Sequence, residues 1–229
     1  MQSRKLVWLI ALLAAGLMSA CGDAETKKVK FYETGVSLYE KEDYLNARLE
    51  FKNAIQLDPK YADAYYMLGM TALKQQEPKQ AFGGFSKALQ LDEAHLQSHI
   101  EIAKLYLAGK AVDKAREHLA AAQKLEPDNA DVKMLQAAVS LADGHPDQAE
   151  SLVDALIAAG HRQPELYLMR ASIFHRRQMP DKTEQAFLDG IAANPDSVGL
   201  RIALVRFYAG MRQFPKAEST LQSLVQMEP

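Results

Sequence analysis

A 34-residue period constrains this chain more than any other feature of its sequence. Steps of 34 residues from Ala47 reach Ala81, Ala115, Ala149, Thr183 and Ala217, and the same steps from Phe51 reach Phe85, Leu119, Val153, Phe187 and Leu221. Steps from Pro59 reach Glu93, Pro127, His161, Pro195 and Pro229. No insertion interrupts the period, so the sequence predicts six stacked copies of one small unit instead of a single globular core.

Each copy has the pattern of two short amphipathic helices. Residues 28–61 read KVKFYETGVSLYEKEDYLNARLEFKNAIQLDPKY. One face of the first helix carries Phe31, Gly35 and Leu38, and one face of the second carries Ala47, Phe51 and Ala54. This spacing of i, i+4 and i+7 packs helix against helix. Asp58-Pro59 ends the unit because proline cannot continue a helix.

Within the unit, a small residue, an aromatic, an alanine, an aromatic, an alanine and a proline follow one another, and this order resembles the tetratricopeptide repeat (TPR) family. The resemblance implies an all-α fold, namely a TPR solenoid that forms a right-handed superhelix of helix-turn-helix repeats. It divides residues 28–229 into six repeats, at 28–61, 62–95, 96–129, 130–163, 164–197 and 198–229.

The fourth and fifth repeats depart most from this pattern. Polar residues replace expected apolar ones at Lys133 and Gln136, and the fifth repeat carries Arg170, Thr183 and Gly190. Two readings stay open. The departures are drift at tolerant positions, or they mark a local change of curvature or a partner contact.

Residues 1–20 have the features of a signal peptide. A positively charged start, MQSRK, precedes a short apolar run over 6–17, which is too short for a comfortable membrane span. The sequence LMSAC then ends at Cys21 and resembles a bacterial lipobox, although Met18 stands where leucine is usual. The resemblance implies a lipid anchor on Cys21, followed by a linker over 21–27. The alternative is an ordinary cleaved signal peptide with a chance cysteine.

The resemblance to lipoproteins also implies a location. In enteric lipoproteins, aspartate directly after the lipidated cysteine implies retention at the inner membrane, and here Gly22 follows the cysteine. We therefore expect the chain at the periplasmic face of the bacterial outer membrane. Cys21 is the only cysteine, which excludes an intramolecular disulfide.

In TPR proteins the first helices of the repeats line a concave groove that holds a peptide or protein. Carried over by position, the groove residues here are Tyr32, Val36, Tyr39, Tyr66, Met70, Leu73, Ile100, Lys104, Leu107, Met134, Leu141, Leu168, His175 and Arg206. The alternative is that these side chains only pack against adjacent repeats. Chaperone-binding TPR domains clamp a C-terminal carboxylate with lysine and asparagine. Tyr32 and Val36 occupy the corresponding first-repeat positions here, so we do not expect this clamp.

Other classes of function find little support in the sequence. The net charge of −2 becomes −4 without residues 1–20, which contain Arg4 and Lys5 and no acid, so no nucleic-acid partner is expected. His95 and His99 are four residues apart but lack an evident third ligand for a metal. No phosphate-binding loop or nucleophile motif is present, so we expect no enzyme activity, no cofactor and no small-molecule substrate.

A lipobox followed by a TPR array resembles two groups of bacterial lipoproteins. One is associated with exosortase and exopolysaccharide systems, and it is our slight preference from the sequence alone. The alternative is a pilotin-like lipoprotein that assists assembly of a type IV pilus secretin. Because repeat arrays need a covered last unit, we also expect a longer array, or a partner or second copy over Leu221 and Leu224.

Overall fold

The computed structural model describes residues 25–227, and these residues form twelve helices and no strand. The helices are α1 (25–40), α2 (Tyr44–Leu57), α3 (Ala62–Lys74), α4 (Pro78–Leu91), α5 (Leu96–Ala108), α6 (Val112–Leu125), α7 (Ala130–Ala142), α8 (Pro146–Ala158), α9 (Pro164–Arg176), α10 (Pro180–Ala193), α11 (Val198–Gly210) and α12 (Phe214–Val225). The predicted all-α fold of helix-turn-helix repeats is confirmed. The signal peptide, the lipobox and Cys21 lie outside the described residues, as does Pro229.

Consecutive helices pack against each other within two compact bodies. The N-terminal body ends at Leu105, and α3 packs there against both α2 and α4. The C-terminal body begins at Tyr106, and within it each helix from α6 to α12 packs against the next. The helices α3, α5, α7, α9 and α11 begin 34 residues apart, at Ala62, Leu96, Ala130, Pro164 and Val198.

Helix α1 begins at residue 25, within the range 21–27 that the sequence assigns to a linker. The ammonium of Lys28 explains how α1 begins before residue 28. It lies 2.7 Å from the Glu25 carboxylate, one turn earlier, and 3.0 Å from the Asp58 carboxylate at the end of α2. Charge pairs three residues apart stabilise a helix turn by roughly 0.2–0.5 kcal/mol.

The same turn closes the first helix of every repeat. The residues at its left-handed position are Glu42, Gln76, Lys110, Gly144, Gln178 and Arg212, with φ between 58° and 83°. The next backbone N–H donates to the carbonyl five residues earlier, as from Asp43 to Leu38 at 2.9 Å and from Gln213 to Tyr208 at 2.9 Å. This Schellman arrangement satisfies carbonyls that a helix end leaves free. The chain direction therefore reverses in the same way in each repeat.

Glycines allow the two helices of the first and second repeats to approach closely. A Cβ on Gly69 would lie 2.5 Å from the Phe85 ring, and one on Gly35 would lie 2.7 Å from the Phe51 ring. Both phenylalanines are fully buried, as are the alanines beside them on α2 and α4. The large ring of the paired helix therefore requires glycine at both positions.

The departures in the fifth repeat have local structural roles. Gly190 makes room for the buried ring of Tyr167, since a Cβ there would lie 2.6 Å from the Cβ of Tyr167. The buried Thr183 hydroxyl donates to the Met179 carbonyl at 2.9 Å. Arg170 lies 3.0 Å from Asp154 and 3.5 Å from Asp189, so it links α8, α9 and α10. Packing and charge pairing therefore account for all three residues.

Candidate partner-binding surfaces

In the N-terminal body, two of the predicted groove tyrosines have repeating ring contacts. Tyr32 lies 5.9 Å from the Phe51 ring and 5.0 Å from the Tyr61 ring. Tyr66, 34 residues later, lies 5.6 Å from Phe85 and 5.1 Å from the His95 ring. Each tyrosine thus packs on the core phenylalanine of its own repeat and on the last residue of that repeat.

These contacts give both tyrosines a structural role. Burial and the nearby Asp63 carboxylate raise the pKa of Tyr32 to about 12, which keeps its hydroxyl neutral. Aromatic pairs at such distances contribute about 0.5–1.5 kcal/mol beyond the area that they bury. A partner in the N-terminal groove can therefore touch only the outer part of each ring, and loss of Tyr66 would cost stability as well as contact surface.

Tyr39 offers more surface to a partner. Among the described residues, the one aromatic ring that pairs with the Tyr39 ring is that of Tyr44. The two rings meet edge-on, with their centroids 5.5 Å apart. Burial, followed by the charges of Tyr44 and Glu101, raises its pKa above the ordinary value. The other apolar groove residues predicted in the first two repeats, Val36, Met70 and Leu73, are half-buried. This part of the expected surface is apolar and partly open.

Two predicted groove residues are core residues. Ile100 is 3% exposed and Leu141 is 9% exposed, so neither presents a side chain that a partner could bury further. The repeat position alone could not reveal this, because the exposure depends on how closely the following repeat covers that turn. Lys104, by contrast, is exposed and pairs with Glu101 at 2.7 Å.

His95 is a structural residue of the N-terminal body. Its Nδ1 accepts a hydrogen bond from the Ser98 backbone N–H at 3.2 Å, and its Nε2 lies 3.2 Å from an Asp63 carboxylate oxygen. The imidazole therefore caps the start of α5 and ties it to α3. Between residues 25 and 227, no group of three or more His, Cys, Asp or Glu side chains is arranged to hold a metal ion.

The C-terminal body contains a cavity of about 580 Å³ between α9 and α11, with α10 behind it. We call it the α9–α11 pocket. Its walls and floor are formed by Leu168, Ala171, Ser172, His175, Thr183, Phe187, Ala203, Arg206, Phe207, Gly210 and Met211. Three predicted groove residues, Leu168, His175 and Arg206, meet here. Ligand pockets have volumes of about 300–1,000 Å³, so the α9–α11 pocket is large enough to take side chains of a bound peptide.

The floor of the α9–α11 pocket is apolar and its rim is polar. Phe187 and Phe207 pack with ring centroids 5.9 Å apart, and the exposed His175 ring meets Phe207 edge-on at 6.2 Å. Arg206 is exposed on α11. The remaining predicted residues of this body, Leu107 and Met134, are half-buried. An apolar floor with a few polar groups at the rim is the usual composition of a binding site.

Sequence reasoning missed Phe207 and Met211 at this pocket. Phe207 follows Arg206 directly, so the helical spacing used for the groove face assigned it to a neighbouring face of α11. Met211 is the last residue before the left-handed turn, where the helical period no longer applies. The signal that could have found the pocket is the cluster of small residues Ala171, Ser172, Ala203 and Gly210, because small side chains leave space between two helices.

No helix between residues 25 and 227 combines the length and the apolar character needed to cross a membrane.

The fold and its repeats define the class of the protein. A tetratricopeptide repeat model matches residues 72–139, and a second TPR repeat model matches residues 35–76. The chain therefore contains TPR repeats within an all-α fold, and repeats of this kind generally serve as scaffolds for protein–protein interaction. TPR domains bind peptides or proteins in their groove.

Among characterised proteins, the chain is similar to the type IV pilus assembly protein PilF of Pseudomonas aeruginosa. The two are 23% identical over 216 residues, which cover 87% of this chain and 86% of PilF. The crystal structure of P. aeruginosa PilF matches with a TM-score of 0.63 and 19% identity, over 90% of this chain and 94% of that one.

Two further solved structures share the fold. A thermophilic TPR protein of Thermus thermophilus matches with a TM-score of 0.68 and 20% identity, over 80% of this chain and 99% of that one. A chain of the APC/C hetero-tetramer Cut9–Hcn1 matches with a TM-score of 0.73 and 15% identity, over 89% of this chain. This chain spans 40% of the length of that APC/C chain. At such identities the likeness establishes the fold alone.

Proposed function

We propose that this chain is a membrane-anchored interaction scaffold of the bacterial envelope that serves type IV pilus assembly, in the manner of a pilotin-like lipoprotein that assists a secretin. The observation that carries the proposal is the similarity to PilF, because it extends over more than four-fifths of both chains without a large unmatched domain. The TPR fold supplies a surface for a protein partner, and the α9–α11 pocket is a candidate part of that surface.

The membrane anchor in this proposal is a lipid on Cys21. It is supported by the sequence, in which a positively charged start and a short apolar run precede LMSAC. Gly22, directly after the cysteine, favours the outer membrane and its periplasmic face. Several acyl chains on one residue would hold the protein firmly, whereas a single chain binds membranes only marginally.

The sequence alone favoured a role with exosortase and exopolysaccharide systems. That preference rested on the gapless repeats, and the comparisons add no support for it. The similarity to PilF instead supports the alternative, so the pilus role is the function that we put forward.

A gene deletion complemented with variants tests the proposal. Wild type should restore secretin multimers and surface pili in the deletion strain. The Cys21→Ser protein should no longer be found in the outer-membrane fraction, should lose labelling by palmitate and should restore few pili. Ser19→Ala, a change two residues before the lipobox cysteine, should behave as wild type. Normal pili in the deletion strain, together with a loss of surface polysaccharide, would overturn the pilus role in favour of the exopolysaccharide role.

A further inference from the structure

The α9–α11 pocket is the middle of three adjoining cavities in the C-terminal body. A cavity of about 410 Å³ shares Leu168 and Ser172 with it, and a cavity of about 510 Å³ shares His175 and Met211. The shared residues make the three depressions continuous. A short peptide segment can therefore lie across the first helices of the last repeats and insert one side chain at the centre.

The charged groups at these cavities are mainly cationic. Arg206 lines the α9–α11 pocket and makes no ion pair or hydrogen bond within residues 25–227. Arg176 lines both flanking cavities and donates only to the Leu141 carbonyl, at 3.3 Å. Among the described residues, no acidic side chain lines the central pocket, and Glu165 lines only the smaller flanking cavity.

Three other arginines of this body, Arg116, Arg170 and Arg177, are paired with carboxylates. Arg116 lies 2.8 Å from both Asp113 and Asp143, and Arg177 pairs with Asp147 and Glu150. In the described part of the chain, Arg206 and Arg176 are the arginines without a carboxylate partner that line the three cavities, in a chain with a net charge of −2. Complementary charge determines which partner docks and how fast it arrives, so cations beside an apolar pocket select an acidic partner.

We infer that the α9–α11 pocket binds a partner segment in which a large apolar side chain is flanked by aspartate or glutamate. The apolar side chain occupies the space between α9 and α11, against Phe187 and Phe207. A flanking carboxylate pairs with Arg206, and one on the other side pairs with Arg176. The inference deepens the proposed function and rests on it, because it names the chemistry of the segment that the scaffold would hold.

Selection from a random peptide library displayed on phage tests the inference with the full chain as target. Selected peptides should carry an aromatic or large aliphatic residue with Asp or Glu nearby. Synthetic copies should bind at least about tenfold more weakly to Arg206→Glu, and more weakly as the salt concentration rises. Ser172→Leu, which fills the pocket from an exposed position on α9, should cause a similar loss.

Arg212→Glu is the matched control. It makes the same charge change on an exposed arginine outside the pocket. Glutamate is compatible with this left-handed turn, because Glu42 occupies the equivalent position of the first repeat with φ 62°. Binding to this variant should stay within about twofold of wild type. The inference is overturned if no peptide is selected, if the selected peptides are basic or uncharged, or if Arg206→Glu and Ser172→Leu bind as tightly as wild type.

The cellular assay distinguishes failure of this inference from failure of the pilus role. If peptide binding follows the pattern above but piliation is unaffected by gene deletion, only the proposed function fails. If deletion abolishes pili but no acidic peptide binds, only the inference about the α9–α11 pocket fails.

Discussion

Two adjacent glycines of α4 have opposite surroundings. A Cβ on Gly83 would meet nothing within 4 Å, whereas a Cβ on Gly84 would lie 2.8 Å from both the Gly69 nitrogen and the Tyr65 carbonyl oxygen. The second clash is with backbone, which cannot rotate away as a side chain can. Gly84 is thus required by the contact between α3 and α4, and Gly83 is not.

Alanine substitutions at the two glycines should therefore change stability in opposite directions. Gly83→Ala should raise the free energy of unfolding by about 0.5–1 kcal/mol, because alanine has less freedom to lose in a helix. Gly84→Ala should lower it by about 1–3 kcal/mol through overpacking. Urea denaturation followed by circular dichroism measures both. Equal effects of the two substitutions would contradict the packing described for α3 and α4.

Glu184 in α10 provides a residue-scale test of electrostatics. A hydrogen bond from the Lys216 ammonium at 2.8 Å, assisted by one from the Tyr208 hydroxyl, lowers its pKa below the ordinary value of 4.5. A lowered pKa means that the contribution to stability is present above pH 4.5 and is lost as the pH falls through the lower, folded-state pKa. Burial and the hydrogen bond to Glu184 raise the pKa of Tyr208 to about 12, so the neutral phenol stabilises the fold below pH 10.

Lys216→Met should raise the pKa of Glu184 towards its ordinary value. The loss of stability at neutral pH should be below about 1 kcal/mol, since the lysine is half exposed. Carbon-detected NMR titration of the Glu184 carboxyl measures the pKa directly. The control is Lys182→Met, which changes an exposed lysine of the same body that lies over the Phe174 ring. This substitution should leave the pKa of Glu184 unchanged. An unaltered Glu184 pKa in Lys216→Met would show that the ion pair does not form in solution.

The limits of sequence reasoning are clearest at single tyrosines. The period correctly identifies Tyr39 and Tyr66 as first-helix residues with equivalent helical faces. It does not reveal that Tyr66 packs on Phe85 and His95, whereas the ring neighbour of Tyr39 is Tyr44. The sequence alone suggests that replacing either tyrosine weakens binding without loss of stability. The structure corrects this for Tyr66, because its ring also packs on His95, the last residue of its repeat.

At the scale of helices, charge pairs link the second helix of one repeat to the end of the next first helix. In the N-terminal body, Arg48 of α2 pairs with Glu77 after α3, at 2.9 Å. In the C-terminal body, Glu150 of α8 pairs with Arg177 at the end of α9, so the charges are reversed. The second-helix position of Arg48 and Glu150 is therefore used for pairing even where the residue type changes, which the alignment of repeats by apolar residues could not show.

A double-mutant cycle measures this link between α8 and α9. Arg177→Ala and Glu150→Ala should each lower stability, and the two losses together should exceed the loss in the double variant by about 0.5–1 kcal/mol. The control cycle pairs Arg177→Ala with Glu218→Ala on α12, where the losses should add. Strict additivity of the Arg177 and Glu150 substitutions would mean that the pair does not couple the two repeats.

For the molecule as a whole, the class of fold could be predicted from the period, and the binding surface only in part. The all-α TPR-type fold follows from apolar spacing that repeats without insertions, because such units can bury their faces only by stacking. The shape of the α9–α11 pocket depends instead on the space that small residues such as Ser172 and Gly210 leave between the helices. Its charge depends on which arginines lack a carboxylate partner. Neither property has a periodic signature, and so the sequence directed attention to the N-terminal tyrosines.

Site-specific photo-crosslinking in living cells tests the proposed role of the α9–α11 pocket most directly, with a photoreactive residue in place of Met211, which lines the pocket and is 42% exposed. We expect a cross-linked adduct with a protein of the pilus assembly machinery, and this adduct should be lost when Arg206 is also changed to Glu. A photoreactive residue in place of Gln185, exposed on α10 and outside the pocket, should give no such adduct. Adducts of equal yield from both positions, or none from position 211 in piliated cells, would contradict this role of the pocket.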